Sequence, residues 1–410
     1  MTTTTGPSML DPALIADPYG GYGALREEAP VLRGVGPDGS TPLWFVTRQD
    51  EVRAVLGDPR FVNDPASVRE GVQVDDARRK LMAQFGLDEE LAGYLTGTIL
   101  DADGADHTRL RKLVSRAFTV RRVGELRPRV EAIAADLLDR LPERFDLMPG
   151  YAYPLPITVI CDLVGVPESE RADWREWSHA LFSMRRENFP GAIRSMADNV
   201  KELIAARRRE PADDLVTGLV QAQEADGDRL TDAEMVTMVF VLVLAGHETT
   251  ANLIGNATRA LLTHPDQLQL LRDDPALWPT AVHELMRFTG PVLGTRIRFA
   301  KEDVELGGQL IAAGQAVEAV IGAANRDPRA YPDPDRLDVT RRPVAGHGEG
   351  HVGFGHGAHY CLGAALARQE GEIALRALFD RFPDLALDSA EPEWEQVPNM
   401  RRLATLPLRR

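Results

Sequence analysis

Residues 346–363 read GHGEGHVGFGHGAHYCLG, and they hold seven glycines, four of the nine histidines and one of the two cysteines of a 410-residue chain. A glycine-rich backbone lets a large flat ligand lie close, because no Cβ intervenes. Cys361 stands just before Leu362-Gly363-Ala364-Ala365-Leu366-Ala367, which reads as a helix start. There, backbone N–H groups and the positive end of the helix dipole favour a thiolate. A stabilised, partly shielded thiolate is what an axial ligand of iron needs. Other readings compete. Gly353-x-Gly355-x-x-Ala358 imitates a dinucleotide-binding turn, but no hydrophobic strand precedes it. His347, His351, His356 and Cys361 could surround zinc, yet their spacing matches no standard finger. A flexible surface loop with an incidental cysteine is the plainest reading.

Working outward, most of the chain reads helical. Residues 130–141, 193–209, 231–263 and 364–382 carry apolar side chains at three- and four-residue spacing. The third opens on Thr231-Asp232-Ala233-Glu234, a capping box, and stops near His264-Pro265. At ~30 residues it would run about 45–50 Å. Its apolar run, 235–246, falls short of the ~20 residues a membrane span needs. Short strand-like pieces are 43–47, 296–299, 317–321 and 403–408. Strands and helices do not alternate, so a doubly wound parallel sheet is disfavoured. The pattern predicts a mainly α protein with small β-sheets, forming one domain over 1–410. Residues 63–100 read as a long loop of the kind that is usually functional. The loop carries Asp88-Glu89-Glu90, either a solvated acidic cluster or an attractor for a cationic substrate group.

The 47 basic and 62 acidic residues give a net charge of −15, which disfavours duplex nucleic-acid binding. Two cysteines exclude a disulfide framework and suit a reducing compartment. The first eight residues lack a basic and an apolar region, so a cytoplasmic location is expected. Against this acidity, residues 107–129 hold eight basic side chains (Arg109, Arg111, Lys112, Arg116, Arg121, Arg122, Arg127, Arg129) and one acidic one, Glu125. They make either a solvated helix face or a steering surface for an acidic partner.

Three further motifs stand out. In Ala245-Gly246-His247-Glu248-Thr249-Thr250 an acid and hydroxyls interrupt an apolar helix, which is costly unless they are satisfied or used. The plainer alternative is a kink, with Thr249 bonded back one turn. Glu284 and Arg287 share a helix face and can pair. His107 and Arg111, also one turn apart, could hold a carboxylate.

With Phe354-Gly355-His356-Gly357-Ala358-His359-Tyr360-Cys361-Leu362-Gly363 matching F-G-x-G-x-H-x-C-x-G, the chain resembles the cytochrome P450 family of haem-thiolate monooxygenases. The other motifs follow in the family's order, so the resemblance covers nearly the whole chain. It implies that fold, with haem b buried between the long central helix and the helix after Cys361. Cys361 would ligate the iron. His107, Arg111, Arg298 and His359 would hold the propionates, with Ala245, Phe354 and Gly363 also against the haem. Two prolines common ahead of the first histidine are replaced here by Gly104-Ala105.

Further roles follow from the same resemblance. Glu248 would relay protons and Thr249 would support bound oxygen. Glu284, Arg287 and Arg336 would form a structural charge network, and Leu181, Met184, Leu242, Val292, Leu293 and Met400 would line the substrate pocket. Electrons would come from NAD(P)H through a ferredoxin reductase and ferredoxin. The expected protein is a monomer without nucleic-acid or membrane partners. Its expected substrate is a hydrophobic polyketide macrolide, with terpenoids and steroids as alternatives. A peroxygenase and a non-catalytic haem sensor are the rival functions.

Overall fold

A computed structural model describes residues 6–74, 85–115, 118–182, 187–225, 230–343, 349–388 and 392–410. Among these, helices dominate and three small sheets accompany them, as the residue patterns predict. The chain divides into two compact units. One comprises Met1–Arg78, Ala134–Ala152 and Thr249–Arg410, and the other Arg79–Ile133 and Tyr153–Glu248.

The main sheet of the first unit takes β1 (Val31–Val35), β2 (Pro42–Val46), β3 (Phe61–Val62), β5 (Arg298–Ala300) and β8 (Ala316–Ala319) in the order β1-β2-β8-β5-β3. A second sheet joins β4 (Arg144–Asp146), β9 (Ala386–Leu387) and β10 (Pro407–Arg409). The remaining pair, β6 (Val304–Leu306) and β7 (Gln309–Ile311), is a hairpin. β2 pairs in parallel with β8, Leu43 opposite Ala316 and Val46 opposite Ala319.

Period-two alternation sorts the side chains of β2. Trp44 and Val46 pack on one face with Val52, Val55 and Val317, while Leu43 and Phe45 pack on the other with Tyr22 and Val320. Both faces are therefore buried, which is why this strand reads as an unbroken apolar run. Each such side chain contributes ~1.5–3 kcal/mol.

Two sheet features departed from expectation. β1 was not anticipated, because Arg33 and Gly34 break its pattern. Only the end of 403–408 is strand, and Leu403 instead bridges to Trp394. The β6–β7 turn uses Gly307 and Gly308, with φ of 55° and 77°, as a two-residue hairpin turn demands.

The second unit is helical, including Gly104–Ser115, Pro154–Val164, Arg171–Phe182 and Phe189–Arg209. Helix Asp232–Thr263 begins in this unit and ends in the first. Its capping box forms as expected: Glu234 N–H donates to Thr231 Oγ1 (3.2 Å), and Thr231 N–H donates to Glu234 Oε2 (2.7 Å). By length and composition alone this helix could cross a membrane, although its apolar run 235–246 is short. Of that apolar window 72% is buried, which marks a core helix.

Within 63–100 the described residues include a short helix, Glu89–Thr96, capped by Asp88. Two of the three acids are engaged: Asp88 accepts from Arg194 (2.8 Å) and Glu90 from Lys201 (2.8 Å). Both pairs are solvent-exposed, in keeping with the reading of a solvated acidic cluster.

Candidate active site

The glycine-rich segment folds into a tight loop ahead of helix Ala364–Arg381. Gly355 N–H donates to Val352 O (2.9 Å), Tyr360 N–H to Gly357 O (3.0 Å) and Cys361 N–H to Phe354 O (2.8 Å). Gly355 and Gly357 have φ of 76° and 73°, and a Cβ on Gly357 would lie 2.6 Å from Leu56 O. Glycine is required there for both reasons. Phe354 is buried with Leu253, Met286 and Ala364, and Cys361 packs at the edge of that cluster. Arg368 ties the loop to the helix by donating to Tyr360 Oη (3.2 Å) and pairing with Glu349.

The two cysteines differ in kind. Cys161 is buried and burial pushes its thiol up to about 12, so it stays protonated. Cys361 is half-buried, three residues before the first residue of the helix. Its own N–H is taken by Phe354 O, so the helix dipole, rather than that amide, favours the thiolate.

The same unit gathers two of the expected cations. Pairing of β3 with β5 sets Asn63 just beyond Val62 and near Arg298. Asn63 Nδ2 lies 2.9 Å from His359 Nε2. An amide nitrogen only donates, so Nε2 accepts and the proton of a neutral His359 sits on Nδ1. Arg298 is buried, with Nη1 donating to Val55 O (2.9 Å) and Leu56 O (3.2 Å). A thiol, a guanidinium and an imidazole N–H fit haem, whose iron takes a thiolate and whose propionates take cations. A Cβ on Gly363 would meet nothing within 4 Å, so the backbone beside Cys361 leaves room for a flat ring.

In the other unit, His107 is buried at 5% exposure and its N–H donates to Asp103 O (3.2 Å), with Arg111 one turn on. Glu248 is buried and accepts from Tyr153 Oη (3.2 Å). His247 Nδ1 donates to Val243 O (2.7 Å), and its Nε2 stands 3.8 Å from Glu248 Oε2. The helix nonetheless remains continuous through Thr249, with no break at this motif. Ala245 is exposed and Thr249 half-buried, one turn apart on one helix face. Tyr153 and His247 were missed from sequence, since neither lies in a pattern that marks an acid's partner.

Glu284 and Arg287 form the expected buried pair: Arg287 Nε donates to Glu284 Oε2 (2.6 Å) and Nη2 to Oε1 (2.8 Å). Arg287 Nη1 also donates to Asn325 O (2.9 Å) and Pro334 O (2.8 Å). The third member is corrected. Arg341, not Arg336, brings its guanidinium to Glu284 (3.2 Å), whereas Arg336 joins through its carbonyl, accepting from Arg287.

Among the expected pocket residues, Leu181 and Leu242 are buried, while Val292 and Met400 are half-buried and bridge to each other. Leu293 sits in the core cluster with Phe45, Val320 and Ala323, which makes it a support for that wall more than its surface. Met184, Arg116 and His347 lie outside the described residues.

The zinc reading is not met by His351, His356 and Cys361. Among the described residues, the trio within ligand reach is His283, Glu349 and His351. Gly353 N–H donates to His351 Nδ1 (3.1 Å), so the proton sits on Nε2 and faces His283 Nδ1 (3.2 Å). A hydrogen-bonded histidine pair accounts for this contact. Burial pushes His351 down to about 3, against 6.5 for an ordinary histidine. The unfolded chain therefore takes up the proton first, and this contribution to stability, present above pH ~6.5, is lost as pH falls. The unfolding midpoint is expected to drop more between pH 7 and 5 than in His351→Gln, as thermal scans at each pH would record.

The Cys361 loop, with Arg298 and His359 in the same unit, offers the donor set that a haem-thiolate site needs. The family model for Cytochrome P450 matches residues 175–274 and 276–407. The chain is 44% identical to Cytochrome P450 107B1 of Saccharopolyspora erythraea, covering 100% of this chain and 99% of that one. It is 43% identical to the 6-deoxyerythronolide B hydroxylase of the same organism, over 99% of each. Cytochrome P450 PksS of the Bacillus subtilis bacillaene polyketide synthase has a solved structure with a TM-score of 0.87 at 36% identity, covering 97% of both chains. This chain belongs to the cytochrome P450 family. It is an oxygen-incorporating enzyme that uses haem b with a cysteine thiolate, O2 and electrons derived from NAD(P)H.

Proposed function

We propose that residues 1–410 act as one cytoplasmic monooxygenase domain that hydroxylates a C–H bond of a polyketide macrolide. Electrons would be delivered by a ferredoxin and its reductase. The Cys361 loop carries this reading, and the 6-deoxyerythronolide B hydroxylase and PksS relatives support the substrate class. When bound, haem supplies oxygen activation and hydrogen abstraction.

Cys361 would hold the iron through its thiolate, and the family resemblance gives Arg298, His359, His107 and Arg111 to the propionates. Glu248 is kept in place by Tyr153 and delivers protons from its carboxyl. Thr249 would hold the last proton of the relay at its Oγ1. By the family resemblance the apolar side chains Leu181, Leu242, Val292 and Met400 would face a hydrophobic substrate. The Glu248–Thr249 pair favours O2 over direct use of peroxide, which needs no proton relay.

Titrating the ferric protein with macrolactones, terpenoids and steroids tests the substrate class through the low- to high-spin shift of the Soret band. A shift with steroids alone would refute the macrolide assignment. Thr249→Ala is expected to keep haem and substrate binding while product per NADPH falls about tenfold and peroxide rises accordingly. Fully coupled turnover in that variant would remove Thr249 from the mechanism.

The electron-partner surface is narrower than its sequence suggests. Arg109, Arg122 and Arg129 pair with Glu234, Asp213 and Asp162. Arg121, 3.8 Å from Glu125, still keeps 86% of its side chain exposed, and Lys112 is also exposed. Lys112→Glu with Arg121→Glu is therefore expected to lower kcat/KM for ferredoxin about tenfold at low salt and much less at high salt. Equal loss at both salt concentrations would argue against steering, and unaltered turnover would argue against this docking face.

A further inference from the structure

The half-buried pair Val292 and Met400 is strapped in place by an unusual polar knot. Leu293 N–H donates to Asn399 O (2.8 Å) and Arg401 N–H to Pro291 O (2.8 Å), so 291–293 and 399–401 hold one another. On the far side, Gly322 N–H donates to Leu293 O (2.9 Å). Behind them stands Glu318 of β8, 0% exposed. Its Oε1 accepts from Asn399 Nδ2, and Tyr22 Oη donates to Asn399 Oδ1 (3.2 Å). A Cβ on Gly294 would collide with both Glu318 Oε1 and Asn399 Cγ, so the contact exists only because residue 294 is glycine.

Several costs converge here. Glu318 Oε2 is buried without a hydrogen-bond partner, and an apolar residue would avoid that penalty. Asn399 has φ of 61°, in the left-handed region that asparagine tolerates better than other side chains but glycine occupies most readily. Burial holds the Glu318 carboxyl at about 8, so it is neutral at pH 7 and costs no buried charge. Unfavourable features persist where function requires them. The features they touch are the backbone of Leu293 and the residue next to Met400.

We infer that Glu318 and Asn399 are positioning residues which fix Val292 and Met400 against the substrate and so set affinity and the site of oxidation. This rests on the reading of Val292 and Met400 as substrate-facing. The test uses haem-loaded protein and two iron-binding probes read by the Soret shift: clotrimazole, bulky enough to press on the pocket wall, and imidazole, which is not. Glu318→Leu and Asn399→Gly are expected to weaken clotrimazole about tenfold and leave imidazole within about twofold. Glu318→Gln keeps an acceptor for Asn399 and is expected to stay within about threefold of the parent for both probes. Glu318→Leu should unfold at the same temperature or higher, since it removes an unpartnered polar atom.

Unaltered clotrimazole binding in Glu318→Leu and Asn399→Gly, or equal weakening of both probes, would overturn the inference, provided Val292→Ala and Met400→Ala weaken clotrimazole. If those two alanine variants leave clotrimazole unaffected, the substrate-facing reading falls and the inference falls with it.

Discussion

Cys361→Ser is expected to remove monooxygenase activity by more than about a thousandfold, a barrier increase of ~4 kcal/mol. A serine oxygen at the same place is a far poorer electron donor to iron than a thiolate, and electron donation is what makes O–O cleavage fast. The dithionite-reduced, carbon-monoxide-bound variant should also lose the red-shifted Soret band that a thiolate produces. Cys161 is the control. Buried in an apolar helix with its thiol held protonated, it should leave that band unaltered when replaced by alanine. A variant of Cys361 that kept the red shift would place the ligand elsewhere.

Arg287→Ala carries the largest expected cost to folding. Glu284 and Arg287 side chains are 1% and 2% exposed, so the truncation takes the two-pronged partner from a buried carboxylate, leaving it only Arg341 and the Asp338 N–H, and removes the donor to Asn325 O and Pro334 O. Breaking a buried pair from one side costs ~3–5 kcal/mol. A lower unfolding midpoint and little retained haem are the expected results. Arg287→Lys should recover little, because an ammonium cannot reach two carboxylate oxygens and the carbonyls together. The double variant Glu284→Gln with Arg287→Met should be less damaged than Arg287→Ala, since the buried carboxylate that loses Arg287 is neutralised with it. Equal stability of Arg287→Ala and the parent would remove this pair from the account of the fold.

Much of this fold was legible because its signals are local. The capping box at Thr231–Glu234, the proline stop after His264 and the turn glycines of the Cys361 loop each act within a few residues. What stayed hidden depends on distant segments meeting. Arg341 displaced Arg336 as the partner of Glu284 because a turn around Asp338, whose N–H also donates to Glu284 (3.0 Å), points the later guanidinium inward. Tyr153 reaches Glu248 across 95 positions, and Asn63 reaches His359 across 296. Neither leaves a mark at a fixed spacing. The basic run over 107–129 looked uncompensated only because its acids, such as Asp162 and Asp213, lie elsewhere in the sequence.

The parallel pairing of β2 with β8 has a consequence for biosynthesis. Val46 must wait for Ala319, roughly 270 residues later, and at ~5–20 residues per second that interval is about 15–55 s on the ribosome. Throughout it, Leu43-Trp44-Phe45-Val46 is an apolar strand with an unpaired edge, a segment prone to aggregate. Overproduction should therefore reward slower synthesis at lower temperature and abundant chaperones. Chains truncated before Ala316 should accumulate as insoluble material whether or not haem is supplied.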